Sequence, residues 1–246
     1  MKSILRNCLH SNDIFLIEEN DKRGKSKTII KSSSSIIGIN SIKNELNGIE
    51  WYNNRGIEKL SITICTETPH YLRTKCLFIS GVIYPYYQGF SKNEKHIKSI
   101  IAHYCNIWPK AKCKNGLFPI HGDFSMCNVI FGDDNRPIII DWEHFRKNAA
   151  PLGFDALNLI FEQAWIEYEI TNSIKNIIEK ITLLIKYLNE QNAIDNRLLK
   201  FPLINTISFI KGNKEIWGMQ INKLPILNFD NNLINIIDKN IFELLN

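Results

Sequence analysis

The stretch HGDFSMCNVIFGDDNRPIIIDWEHF, residues 121–145, sets acids and an amide around two short apolar runs. NVIF (Asn128 to Phe131) and IIID (Ile138 to Asp141) read as strands, and the GDDNRP between them has the composition of a hairpin turn. If Phe131 pairs with Ile138, counting outward sets Asn128 opposite Asp141. Cross-strand partners project from one face with Cβ atoms roughly 5 Å apart. Amide and carboxylate then converge at the open end of the hairpin, and Asp123 sits on the loop that feeds that end. Such a geometry suits a hard cation beside a further carboxylate.

The chain has 246 residues and is 44% hydrophobic, enough to bury the core of one large domain or two lobes. Its net charge of +5 is mild, and the basic residues are spread along the chain. An anionic ligand is favoured, and nucleic acid is not indicated. The N-terminus lacks the pattern of a signal peptide, and no run reaches the ~20 apolar residues of a membrane helix. Six cysteines (8, 65, 76, 105, 113, 127) form no CxxC pair and no zinc-like spacing with histidine, so buried free thiols in a reducing cytoplasm are expected.

Outward from the hairpin, the front of the chain is strand-rich. DIFLIEE (13–19) and KTIIK (27–31) read as strands around a charged turn. SIKNELNGIEWYNN (41–54) reads as a helix with Ser41 as N-cap and Ile42, Leu46 and Ile49 as its apolar stripe. SITIC (61–65) and CLFISGVIY (76–84) are strand-like, and IYPYYQGF (83–90) is a connector. Helical patterns then cover 91–108, 154–170, 172–190, 198–210 and 231–245. The expected division is a strand-rich lobe at 1–83, a hinge at 84–90 and a helical lobe at 91–246, with a ligand cleft between lobes.

The order His121-x-Asp123-x4-Asn128, a strand turn, then Ile140-Asp141-Trp142-Glu143 resembles the catalytic core of the aminoglycoside phosphotransferase and choline kinase family. Gly153-Phe154-Asp155 extends the resemblance, with an acid opening the next helix. It implies an α+β, bilobal protein-kinase-like fold, with a small antiparallel-sheet N-lobe carrying one helix and a larger helical C-lobe. It further implies an ATP- and Mg2+-dependent transfer of phosphate to an alcohol. On that resemblance Asp123 is the catalytic base, and Asn128 and Asp141 are the magnesium ligands. His121 braces the loop, Glu143 lies behind the metal on the same strand face as Asp141, and Asp155 ties the catalytic loop. The phosphates want a strand lysine paired with a helix glutamate, for which Lys31 and Glu45 stand, with Lys27 and Glu50 as competitors. No GxGxxG precedes the first strand pair, so Ser11 would help to cap the phosphates. Adenine would lie against the connector near Tyr84 and Tyr86, residues that ordinary ring packing at a lobe junction explains equally well.

The acceptor is read from FEQAWIEYE (161–169). Glu162, Trp165 and Tyr168 fall near one helical face, and a carboxylate among aromatic rings suits the ammonium of an amino alcohol such as choline or ethanolamine. The same spacing describes a plain core stripe, and a sugar or glycan hydroxyl stands as an equal acceptor. Trp217 is a further candidate wall. The alternatives in function are a catalytically silent kinase-like protein that binds nucleotide or a partner, and a two-metal hydrolase. The last is disfavoured because only His144 joins His121 near the acids, and its side chain is expected to point away from Asp141.

Overall fold

The computed structural model describes residues 4–7, 14–20, 27–55, 59–77, 81–111, 113–217, 221–222 and 224–245. They form two units, Met1–Gly81 with Asp141–Phe145 and Val82–Ile140 with Arg146–Asn246.

The first unit is an antiparallel sheet and one helix. Strands β1 (Ile4–Asn7), β2 (Phe15–Asn20), β3 (Lys27–Ser33), β4 (Ile62–Thr68) and β5 (Tyr71–Leu77) lie in the order β1-β2-β3-β5-β4. β5 lies upstream of the expected 76–84 run, turning back from β4 at Thr68↔Tyr71. Helix α1 (Ile36–Asn53) begins five residues before the expected start. Its N-cap is Ser35, whose Oγ accepts from the Gly38 N–H at 3.0 Å, and Ser41 is instead a buried residue of the helix interior. A serine run offers several side chains able to satisfy a first-turn N–H, and the one in extended backbone immediately before the helix takes the role. Ile42 and Ile49 are buried, and Leu46 is partly buried against the cluster of Ile14, Ile39, Ile42 and Leu72. On the neighbouring stripe Trp51 and Tyr52 pack with Trp142 and Phe145, ring centroids 5.2 to 5.9 Å apart.

The second unit is mainly helical. It comprises α2 (Gly89–Ile107), β6 (Phe118–Ile120), β7 (Val129–Phe131), β8 (Pro137–Ile139), β9 (Arg146–Ala150), α3 (Phe154–Thr171), α4 (Ile174–Glu190), α5 (Asn196–Leu199), α6 (Pro202–Gly212) and α7 (Asn231–Leu245). The single helix expected over 198–210 is two, because Pro202 cannot continue α5 and instead opens α6. β6 pairs with β9 antiparallel. Tyr104 of α2 and Trp108, just past its end, stack at 4.5 Å and meet Phe124, all three buried.

The hairpin β7–β8 forms one residue out of the expected register. Phe131 pairs with Pro137, Ile130 with Ile138 and Val129 with Ile139. The Ile140 N–H donates to the Asn128 carbonyl at 2.9 Å, so Asn128 lies opposite Ile140 rather than Asp141. Proline is admitted because of where its missing N–H falls. Phe131 exchanges both backbone hydrogen bonds with Val82 on its other side, so the Phe131–Pro137 pair demands no donor from Pro137. The turn closes within Gly132–Arg136, with Asn135 at φ +58° and the Gly132 N–H donating to the Arg136 carbonyl at 3.1 Å. A one-residue slip exchanges the two faces of a strand. Asp141 in fact leaves the strand, at φ +62°, a left-handed conformation that a short polar side chain tolerates.

No described helix is long and apolar enough to cross a membrane. Cys65, Cys76, Cys105, Cys113 and Cys127 are free, as expected, but none is buried: three are exposed and two intermediate. Cys8 lies outside the described residues.

Candidate active site

In the first unit Lys31 is the centre of a charged trio. Strand alternation turns its side chain off the sheet, where Nζ meets Glu45 Oε1 and Asp141 Oδ1, each at 2.8 Å. Burial works to lower the Lys31 pKa, but the two carboxylates outweigh it and hold the ammonium well above its ordinary range. Glu45 is raised by burial, with Lys31 pulling it back. The Asp141 side chain is about 40% exposed while those of Lys31 and Glu45 are nearly covered, so Asp141 is the member open to a ligand. Glu50 is exposed and lines a separate groove of about 820 Å³ between α1 and β4 that Lys31 does not reach. The Lys27 side chain and Ser11 lie outside the described residues.

Glu143 does not extend the strand face of Asp141. Asp141 has already left the ladder, and the Phe145 N–H donates to the Trp142 carbonyl at 3.0 Å, closing a turn that contains Glu143. Glu143 Oε1 instead faces His144 Nε2 at 3.4 Å.

In the second unit the loop after β6 is fixed from three sides. Asp155, in the first turn of α3, accepts from the N–H groups of His121 and Gly122 at 2.7 and 3.3 Å. Burial, against these two hydrogen bonds, pushes its carboxyl up to about 7. His121 is fully buried. Its Nδ1 accepts from the Asp123 N–H at 3.3 Å, which leaves Nε2 to donate to the Ile140 carbonyl at 2.9 Å. Trp217 Nε1 donates to the Gly122 carbonyl at 2.7 Å and is buried, so its indole holds the loop rather than walling a pocket. The Tyr104 hydroxyl accepts from the Gly153 N–H at 2.9 Å, steadying the entry to α3.

These ties present Asp123, half-buried, beside Asn128. The Asn128 amide gives one N–H to the Asp123 carbonyl at 2.8 Å and one to its Oδ2 at 2.9 Å. With both hydrogens so used, the amide turns its oxygen away from Asp123, the orientation a cation requires. Glu162 lies near enough to Asp123 to feel its charge. It is buried, its Oε2 has no hydrogen-bond partner among the described residues, and burial followed by the Asp123 charge pushes it up to about 8. Half-buried Trp165 lies 5.9 Å from Tyr168 and 4.9 Å from Phe229, ring to ring. Phe161 is fully buried in the core.

Tyr84 is engaged in ring packing, stacked on His96 at 3.5 Å and edge-on to Phe131 at 5.3 Å. The Tyr86 side chain lies outside what is described. Among the described residues no three His, Cys, Asp or Glu side chains gather as a metal cluster. Magnesium in nucleotide sites takes only one or two protein oxygens beside phosphate and water, a demand that the open Asp141 carboxylate fits by chemistry.

No family model matches the chain, and no curated protein matches it in sequence. Among solved structures it is similar to the Plasmodium vivax ethanolamine kinase, at 13% identity and a TM-score of 0.53, covering 99% of this chain and 81% of that one. The fold is protein-kinase-like. The gentamicin–APH(2")-IIa complex aligns at 12% identity and a TM-score of 0.47 over 94% of this chain and 93% of that one. In this protein-kinase-like fold Lys31 stands on the third strand, Glu45 on the helix that follows, and His121 to Asn128 on the loop ahead of the hairpin.

Trp142 stands in the sequence motif without a role of its own, and Tyr104 and Ser35 stand outside it, yet all three position these groups. Trp142 carried a signal in being a large apolar residue directly after an acid at the end of an apolar run. Tyr104 carried none, because a helical tyrosine is ordinarily core.

Proposed function

We propose that this chain is an ATP-dependent phosphotransferase that moves the γ-phosphoryl group to a hydroxyl of a small molecule. The observation that carries this reading is the Lys31 trio. A kinase-like site needs a strand lysine fixed by a helix glutamate and an aspartate nearby to take the metal, and Lys31 touches both acids at 2.8 Å. Magnesium, when bound, would offset the negative charge shared between the phosphates.

The chain's own residues divide the remaining work. Lys31, steadied by Glu45, orients the phosphates, and Asp141 with the Asn128 oxygen would hold the metal. Asn128 also pins the Asp123 carboxylate in one rotamer. Asp123 takes the proton of the acceptor hydroxyl as its oxygen bonds to the γ-phosphorus, and the bond to the bridging oxygen breaks to release ADP. Asp155 and His121 keep the loop in place while this happens.

For the acceptor, the buried carboxyl of Glu162, within electrostatic reach of Asp123, and the rings of Trp165 and Tyr168 favour a hydroxyl compound with an ammonium group. The likeness to an ethanolamine kinase supports the same class. ATP consumption by the purified protein with Mg2+, over a panel of amino alcohols, sugars and aminoglycosides, tests the reading. Asp123→Ala should abolish transfer and leave nucleotide affinity intact, whereas Asp141→Ala should weaken Mg2+–nucleotide binding. Nucleotide binding without turnover on any acceptor would point to a catalytically silent protein instead.

A further inference from the structure

Asp141 is held to α1 by shape as well as by charge. Residues 41, 45, 48 and 52 follow one stripe of the helix, at the spacing that aligns side chains over three turns. Ser41, Glu45, Gly48 and Tyr52 are all buried there. Glu45 engages Lys31, and through it Asp141. Gly48 and Tyr52 engage the residues just after Asp141: the Tyr52 ring lies 5.2 Å from that of Trp142, which is itself fully buried.

The approach at Gly48 is too close for any other residue. A Cβ there would stand 2.6 Å from Trp142 Cβ, 3.0 Å from Phe145 Cβ and 3.0 Å from Trp142 Cε3. Two of these three are the first side-chain atoms of their residues, fixed to the main chain, so no rotamer change relieves them. The segment itself would have to move, and it is a short turn closed between Trp142 and Phe145. Asp141 precedes that turn directly, in left-handed backbone at φ +62°.

We infer that Gly48 is a positioning residue for Asp141: the bare helix backbone at Gly48 seats the Trp142–Phe145 turn, and that seat fixes where the Asp141 carboxylate stands. The inference rests on the phosphotransferase reading for what Asp141 does. Its geometric part needs only the packing. Adding a methyl group at position 48 displaces the turn, and the Asp141 oxygen moves with it while Lys31 and Glu45 stay on their own elements.

The test is calorimetric binding of the ATP analogue AMP-PNP, with and without Mg2+, to the parent protein and three variants. Gly48→Ala should weaken Mg2+-dependent binding roughly 10- to 100-fold, the scale of loss for a ligand group misplaced by about 1 Å. Binding of AMP-PNP without Mg2+ should be unchanged, a pattern that general loosening of the fold would not give. Gly212→Ala is the control, because a Cβ at that helical position meets nothing within 4 Å, and it should bind as the parent does. Trp142→Phe, which keeps a ring in the seat, guards against a Gly48→Ala that does not fold and should weaken Mg2+-dependent binding roughly 3- to 10-fold. Parent-like Mg2+-dependent affinity in folded Gly48→Ala, or in Trp142→Phe where the former does not fold, would overturn this inference alone. No Mg2+-dependent binding by the parent itself would overturn both this inference and the function it rests on.

Discussion

Replacing Asp155 with asparagine should change how stability depends on pH, and the size follows from its surroundings. The Asp155 carboxyl is buried, and its pKa stands at about 7 against an ordinary 3.8. An acid whose pKa is raised by folding binds more protons in the folded state across the interval between the two values. Its contribution to stability is therefore complete below the unfolded value and is lost as pH rises to the folded one. The interval is about 3 pH units at about 1.4 kcal/mol each, so the contribution falls by about 4 kcal/mol between pH 4 and pH 7.5. Asparagine keeps an acceptor oxygen for one of the two N–H groups, of His121 or Gly122, and has no proton to exchange. Urea unfolding of both proteins from pH 4.5 to 8 isolates this effect, because groups common to both cancel in the difference. The stability of the parent relative to Asp155→Asn should decline steadily as pH rises and level off above pH 7.5. A difference that stays flat within about 0.5 kcal/mol would refute the account of a carboxyl held near neutrality by burial.

The same reasoning applies to Glu162, raised to about 8. Glu162→Gln should melt at the parent's temperature or lower at pH 5 and above it at pH 8.5, as followed by circular dichroism; the reverse order would count against a burial-raised carboxyl. Lys31→Met leaves the buried Glu45 without its ammonium and should destabilise the protein by about 3 kcal/mol in urea titrations. Trp217→Phe removes the indole hydrogen bond to the Gly122 carbonyl and should cost about 1 kcal/mol, with proton exchange of loop amides near Gly122 accelerated.

The parts of the fold that repeat a period were legible in the sequence. Helices α2, α3, α4 and α7 follow their apolar spacing to within a few residues. The meeting of Lys31 with Glu45 was legible only in part, because alternation puts Lys27 and Lys31 on one face of the strand and so does not choose between them. The hairpin register was not, because a proline in a strand argues for a turn until its partner's bonds are known. Only the Val82–Phe131 bridge, between residues far apart in sequence, shows that the missing N–H goes unneeded. The start of α1 was hidden by four successive serines, of which any could cap. Strands of three residues, such as β6, are too short for alternation to register. The seat at Gly48 is a contact between backbone and a segment almost a hundred residues on, which no local pattern encodes.

Because Asp141–Phe145 belongs with the sheet unit while the chain on either side belongs to the helical one, the polypeptide passes between the units three times. A fragment ending near residue 81 would carry every strand of the sheet yet lack Trp142 and Phe145, leaving the aromatic stripe of α1 wet and prone to self-association. During synthesis the sheet unit must likewise wait, incomplete, until residue 145 has left the ribosome, by which time the first pieces of the helical unit are already made. The two halves of this protein thus mature together rather than in turn.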